Sequence, residues 1–303
     1  MSVVTRALPL YRRSVTDLLP HSHAALVRSS SRLRRQSRAL VSSQPRRRDV
    51  ATRATVNVES NMPPLSTRIQ ETDAPCIVQM QKMLAGKEDV ISLAQGIVHW
   101  QPPEVALEAA AKSITDPRVS KYGTDDGLPE LREAIKEKLA RENELTDVEV
   151  IVTSGANQAF MNVVLTLMDN GGRAVLFAPY YFNHLMALQM TGHDITIADC
   201  DEHMMPDLEK LRPILAKGDV RMVVICTPCN PTGVVTPKSK LVEAAALCKE
   251  YGVWLVVDNT YEYFVYDGKE HGTVGGDNVL NVFSFSKAYG MMGWRGGFIA
   301  FPT

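Results

Sequence analysis

Cysteine is scarce and scattered: Cys76, Cys200, Cys226, Cys229 and Cys248 are the five in 303 residues, too few and too dispersed for a disulfide framework. Long apolar runs are missing as well. No stretch approaches the ~20 residues a helix needs to cross a bilayer, so a protein of an aqueous compartment with no membrane partner is expected. The dinucleotide fingerprint G-x-G-x-x-G is absent, which counts against a dinucleotide site. Internal repeats are absent too, and low-complexity sequence is confined to the N-terminus. Net charge is missing only in sum. The first 58 residues hold twelve Arg, no Lys and two acids, Asp17 and Asp49, a formal +10; with the whole chain at −1, the remainder carries about −11. A body of that sign gives no electrostatic case for a nucleic-acid partner.

What is present begins with that leader. Residues 1–58 are rich in Arg and Ser and poor in acids, as organelle transit peptides are. A disordered basic tail that binds RNA or anionic lipid is the alternative. Chloroplast is the expected address, with mitochondrion as the second choice.

From Asp147 onward, short β-branched runs alternate with longer amphipathic segments, which predicts an α/β fold built from βα units. Seven strands are expected, at "VEVIVTS", "RAVLFAP", "DITIAD", "RMVVICTP", "WLVVDN", "VLNVFSFS" and "GGFIAF". Several of these are apolar throughout, so the sheet should be mostly parallel with helices on both faces. Helices are expected in "GLPELREAIKEKLARENEL", where Pro stands near the start, in "ANQAFMNVVLTLMDN", and in "PKSKLVEAAALCKEYG", which ends at Gly252.

Ligands in such sheets sit beyond the C-terminal ends of the strands, and unusual residues gather there. "SGAN" follows the first strand, "PYYFN" the second, "CNPTG" the fourth, "DNTYEYF" the fifth and "SKAYG" the sixth. Taken singly, Asp258, Asn230, Tyr181, Tyr261 and Arg295 each have a structural explanation. Together, an amide-rich helix start, an aromatic, an Asn-Pro turn, an acid with a phenol three residues on, and Lys287 flanked by Ser284 and Ser286 suit one ligand. Pyridoxal 5′-phosphate needs an amine for its aldehyde and a held ring that withdraws electrons. The "CTPC" pair, Cys226 and Cys229, stands between a strand and a turn rather than opening a helix, so redox or metal function there is the less favoured reading. No metal site is expected.

"SLAQGIVHWQPP", "GANQAF", "PYYFN", "VDNTYEYFVYDG" and "NVFSFSKAYGMMGWR" cover the chain from about Ser92 to its end. On these the chain resembles the fold-type I, class I and II aminotransferases that use pyridoxal phosphate. More narrowly it resembles plant enzymes that move amino groups between methionine or aromatic amino acids and 2-oxo acids. The resemblance implies a seven-stranded large domain over residues 101–303, an N-terminal arm with part of a small domain over 59–100, and a homodimer.

It also implies roles. Lys287 would bind the cofactor aldehyde and shuttle the substrate proton, Asp258 would pair with the ring nitrogen, and Asn230 and Tyr261 would donate to the ring oxygen. Tyr181 would stack on the ring. The amides of Gly155, Ala156 and Asn157, the hydroxyls of Ser284 and Ser286, and the Arg295 guanidinium would hold the phosphate, with Gly290, Gly293, Gly296 and Gly297 curling the backbone around it. Tyr122 would reach the phosphate of the partner subunit, and Gly96 would approach the substrate carboxylate. His99 and Trp100 could shape an aromatic pocket or merely pack. A cis Asn230–Pro231 bond is expected.

The resemblance further calls for a long helix and the rest of a small domain after "GGFIAF", including an arginine for the substrate carboxylate, and no residue before Thr303 fills that role by motif. Two alternatives therefore stay open beside transamination: a cofactor-binding, dimerising protein of little turnover, and elimination as in C–S lyases.

Overall fold

The expected alternation is realised as a seven-stranded sheet flanked by helices, in a computed structural model that describes residues 63–303. The leader, residues 1–58, and the first positions of the arm lie outside the described residues. The strands are β1 (Val148–Thr153), β2 (Arg173–Ala178), β3 (Asp194–Asp199), β4 (Val220–Cys226), β5 (Trp254–Asp258), β6 (Val279–Ser284) and β7 (Gly297–Pro302). The helices are α1 (Thr67–Gln70), α2 (Cys76–Leu84), α3 (Glu104–Ser113), α4 (Pro129–Asn143), α5 (Ala156–Leu167), α6 (Phe182–Thr191), α7 (Leu208–Leu215) and α8 (Lys238–Glu250). Among the described residues no helix is long and apolar enough to cross a membrane.

Local chemistry sets several boundaries. Pro129 occupies the first turn of α4, where its missing N–H costs nothing. The same helix ends at Glu144 in a left-handed conformation, and the chain then folds back so that Leu145 donates to the Leu139 carbonyl at 3.1 Å. Helix α8 stops at Glu250, two residues before Gly252, whose φ of 68° turns the chain into β5.

The strand order is β1-β7-β6-β5-β4-β2-β3. The pairs β3 with β2, β2 with β4, β4 with β5 and β5 with β6 are parallel, while β7 runs antiparallel to both neighbours, β6 and β1. The unbroken apolar runs are explained by two-sided burial. Along β4 and β5, Val223, Ile225, Leu255 and Val257 pack with Leu211 and Leu215 of α7 and Leu241 and Ala244 of α8. The alternate residues Met222, Val224 and Val256 pack against Phe160 and Val163 of α5 and Leu188 of α6. A third cluster joins Ile135 and Leu139 of α4 to Phe283 and Phe298, whose rings stack with centroids 4.9 Å apart.

The topology also dictates where chemistry can sit. Strand β7 enters between β1 and β6, so its first residue, Gly297, lies opposite the last residues of both, Thr153 and Ser284. Four parallel ladders and this one reversal therefore bring the ends of β1, β2, β4, β5 and β6 to the same edge of the sheet.

Candidate functional site

That edge encloses a cavity of about 190 Å³. Of the residues expected from the sequence, Gly96, Ala156, Asn157, Tyr181, Asn230, Asp258, Tyr261, Ser284, Ser286, Lys287 and Arg295 line it. Gly155 stands just behind the wall as the cap of α5. Tyr122 is not brought in: its side chain is fully exposed. A larger groove of about 510 Å³, lined by residues such as Val163, Leu165, Trp254 and Ile299, carries no titratable side chain. Chemistry, not volume, distinguishes the smaller cavity.

Lys287 leaves the end of β6 and turns its amine into the cavity, where Nζ donates to the Gly96 carbonyl at 2.8 Å and lies 5.8 Å from the centre of the Tyr261 ring. Among the described residues no carboxylate pairs with it, and burial lowers its pKa from the ordinary lysine value. The loop that carries it is pinned from both sides. Ser284 Oγ accepts from the Ser286 amide at 3.0 Å, and Trp100 Nε1 donates to the Ala288 carbonyl at 3.2 Å.

Asp258 ends β5 and is 4% exposed. Its Oδ2 accepts from His184 Nε2 at 3.0 Å and its Oδ1 from the Thr260 amide at 2.9 Å. Burial pushes the carboxyl pKa up, but the His184 contact and the Thr260 bonds outweigh it, so the group is held below the usual aspartate value. Sequence reasoning missed His184 because a lone histidine inside the apolar run "FNHLMALQM" reads as core. Its position three residues after Tyr181, in the first turn of a helix leaving the ligand edge, was the available signal.

The two phenols remain protonated. Burial first, then the Asp258 charge, pushes Tyr181 up to about 12, and its hydroxyl accepts from Asn183 Nδ2 at 2.8 Å. Burial likewise raises Tyr261, assisted by Cys226 and Asp258, while the Asn230 side chain pulls the other way. Behind Tyr261, Glu262 is clamped by Lys138 at 2.6 Å and by Asn143 at 2.9 Å, which ties this loop to α4. The Asn230–Pro231 bond is cis, as expected; Ala178–Pro179 and Thr227–Pro228 are cis as well, which the sequence did not announce.

The opposite end of the cavity suits an anion. Helix α5 presents the free amides of its first turn there, and Gly155 caps it with a φ of 83°. Arg295 lies alongside, in a left-handed conformation with a φ of 58°, donating to the Met292 carbonyl at 2.7 Å. A side chain at Gly155 would strike the Arg295 guanidinium, and a Cβ at Gly297 would stand 2.7 Å from the Ala156 nitrogen. These two glycines let strand, helix start and guanidinium converge. The other glycines expected around the anion act elsewhere. Gly290 packs against the Trp100 carbonyl and Gly296 against the Phe285 ring, while a Cβ at Gly293 would meet nothing.

The donor set fits pyridoxal phosphate on each count. An amine with a lowered pKa can meet an aldehyde, and an ionised buried carboxylate suits a protonated ring nitrogen. A phenol beside an amide suits a ring oxygen, and helix amides with a guanidinium suit a phosphate.

Over residues 88–303 the chain matches the family described as "Aminotransferase class I and II". It is 50% identical over 241 residues to the aromatic aminotransferase ISS1 of Arabidopsis thaliana, covering 78% of this chain and 61% of that protein. With the aspartate/prephenate aminotransferase of Thermus thermophilus it shares 34% identity over 220 residues, 71% of this chain and 57% of the relative. Among solved structures, the aspartate aminotransferase from Thermus thermophilus with maleate superposes with a TM-score of 0.73 at 31% identity, covering 80% of this chain and 65% of that one. The chain thus spans about three-fifths of the length of the curated relatives it matches.

Proposed function

The chain belongs to the class I and II aminotransferases, and from that premise we propose that it moves an amino group between an aromatic amino acid or methionine and a 2-oxo acid. One observation carries this reading: the Lys287 amine and the Asp258 carboxylate bound the same cavity. The family's cofactor is pyridoxal 5′-phosphate. When bound, it supplies an aldehyde that takes up the amino group and a ring that draws electrons from the substrate α-carbon.

The chain's own residues would do the rest. Gly155, Ala156, Asn157, Ser284, Ser286 and Arg295 would hold the phosphate. Asp258 would keep a proton on the ring nitrogen, and His184 and Thr260 keep that carboxylate ionised and aimed. Asn230 and Tyr261 would donate to the ring oxygen, and Tyr181 would cover a ring face. Lys287 would move the proton at the substrate α-carbon; burial loosens the proton of its own ammonium, which suits the amine to act as a base. Gly96, whose carbonyl already meets Lys287, lies where a substrate carboxylate would approach.

The aromatic preference rests on likeness to the Arabidopsis relative. A homodimer accounts for the apolar side chains left exposed along the arm, Ile91 at 91% and Leu93 at 94%, and for the outward Tyr122. Residues 1–58 are proposed as an organelle address, plastid first, on the composition of the leader alone.

A single-turnover experiment tests the activity. The full chain loaded with pyridoxal phosphate and mixed with phenylalanine, without an acceptor, is expected to release about one equivalent of phenylpyruvate per site, and to turn over repeatedly once a 2-oxo acid is added. Ammonia release would point to elimination instead. Bound cofactor with no oxo acid formed would make this a binding protein.

A further inference from the structure

The "CTPC" pair is not absorbed by the reading above. Cys226 ends β4, paired with Asp258 across the ladder, and Cys229 directly precedes Asn230. Both thiols are free and half-buried. They share a second, smaller cavity of about 30 Å³ with Cys200 and His184, and Cys226 also lines the main cavity. Cys226 Sγ lies 3.5 Å from the Pro228 carbonyl and Cys229 Sγ 3.7 Å from the Pro179 carbonyl. Among the described residues no group of three His, Cys, Asp or Glu is arranged to hold a metal ion, so the three thiols do not form a metal set.

The two thiols line the same small cavity, three positions apart in the chain, and are unequal. Contact with Cys226 pulls the Cys229 pKa down, helped by Thr232 against the opposing effect of burial, while contact with Cys229 and then burial push Cys226 well up. Burial holds Cys200 at about 11. One nucleophilic sulfur beside a neutral neighbour is the arrangement in which the first attacks and the second resolves. A cavity of this size admits a molecule little larger than water, which favours hydrogen peroxide over a bulky disulfide such as oxidised glutathione.

We propose that Cys226 and Cys229 form a peroxide-oxidised, reversible disulfide site beside the main cleft. The Cys229 thiolate attacks one peroxide oxygen; the S–O bond forms as the O–O bond breaks, and the departing hydroxide takes up the proton Cys229 released. Cys226 then attacks the Cys229 sulfur. The S–S bond forms, the S–O bond breaks, and the second hydroxide leaves with the Cys226 proton. Two thiols are oxidised to one disulfide and one peroxide is reduced to two waters. A dithiol reductant reverses the change by exchange.

The test uses the reduced full chain, treated with stoichiometric hydrogen peroxide, then denatured, alkylated and mapped. Two of the five thiols are expected to escape alkylation, the peptide containing residues 226–229 should lose the mass of two hydrogens, and dithiothreitol should restore both. Cys226→Ser should leave a Cys229 sulfenic acid that dimedone captures, whereas Cys229→Ser should leave Cys226 alkylatable. Several results would overturn the proposal: both thiols intact at doses that oxidise the exposed Cys76, a bond from either to Cys200, or irreversible oxidation of Cys229.

Discussion

Lys287→Ala is expected to lower turnover on the order of 10⁴-fold or more, because one amine is asked both to receive the cofactor aldehyde and to move the substrate proton. The loss should fall on kcat rather than on folding. Lys287 makes one side-chain hydrogen bond, to the Gly96 carbonyl, and no ion pair among the described residues, and its removal spares a partly desolvated amine. The thermal midpoint should therefore stay within a few degrees of the parent or rise. Added alkylamines should rescue part of the rate, since a small base can reach the vacated space. A variant that keeps more than about a tenth of the parent rate would remove the amine from the chemistry.

Asp258→Asn is expected to cost about 10²–10³-fold in turnover, the size of effect seen when one preorganised electrostatic partner is lost from a site closed to water. The substitution is nearly isosteric. The carbonyl oxygen of the introduced amide can still accept from the Thr260 amide, but the negative charge that would hold a proton on the ring nitrogen is gone, and His184 loses its carboxylate. Cofactor affinity should fall together with the rate. Titration with pyridoxal phosphate and steady-state kinetics on the same preparation separate the two, and an unchanged kcat at saturating cofactor would contradict the role given to this carboxylate.

How far the sequence could be read depended on what each feature left in the chain. The parallel strands were legible because burial on both faces leaves an apolar run without alternation, as in β4 and β5. The reversal of β7 was not, since "GGFIAF" reads alike in either direction; only pairing with β1 and β6 reveals that Gly297 joins two ligand-bearing loops. Lys287, Asp258 and Tyr261 were legible because charged and phenolic groups at strand ends are conspicuous. His184 was hidden by apolar neighbours, and it reaches Asp258 from 74 positions away. The glycines misled in part. Gly290 and Gly296 answer to packing against Trp100 and Phe285, contacts made by segments no local pattern could bring together.

The central claim is that the amine at position 287 meets the aldehyde of a cofactor whose ring nitrogen faces the carboxylate at 258. Borohydride reduction of the loaded protein followed by peptide mapping tests it most directly. The cofactor mass should be fixed on Lys287 alone, in equimolar yield. Its appearance on any other lysine, or its complete loss on denaturation after reduction, would contradict the account.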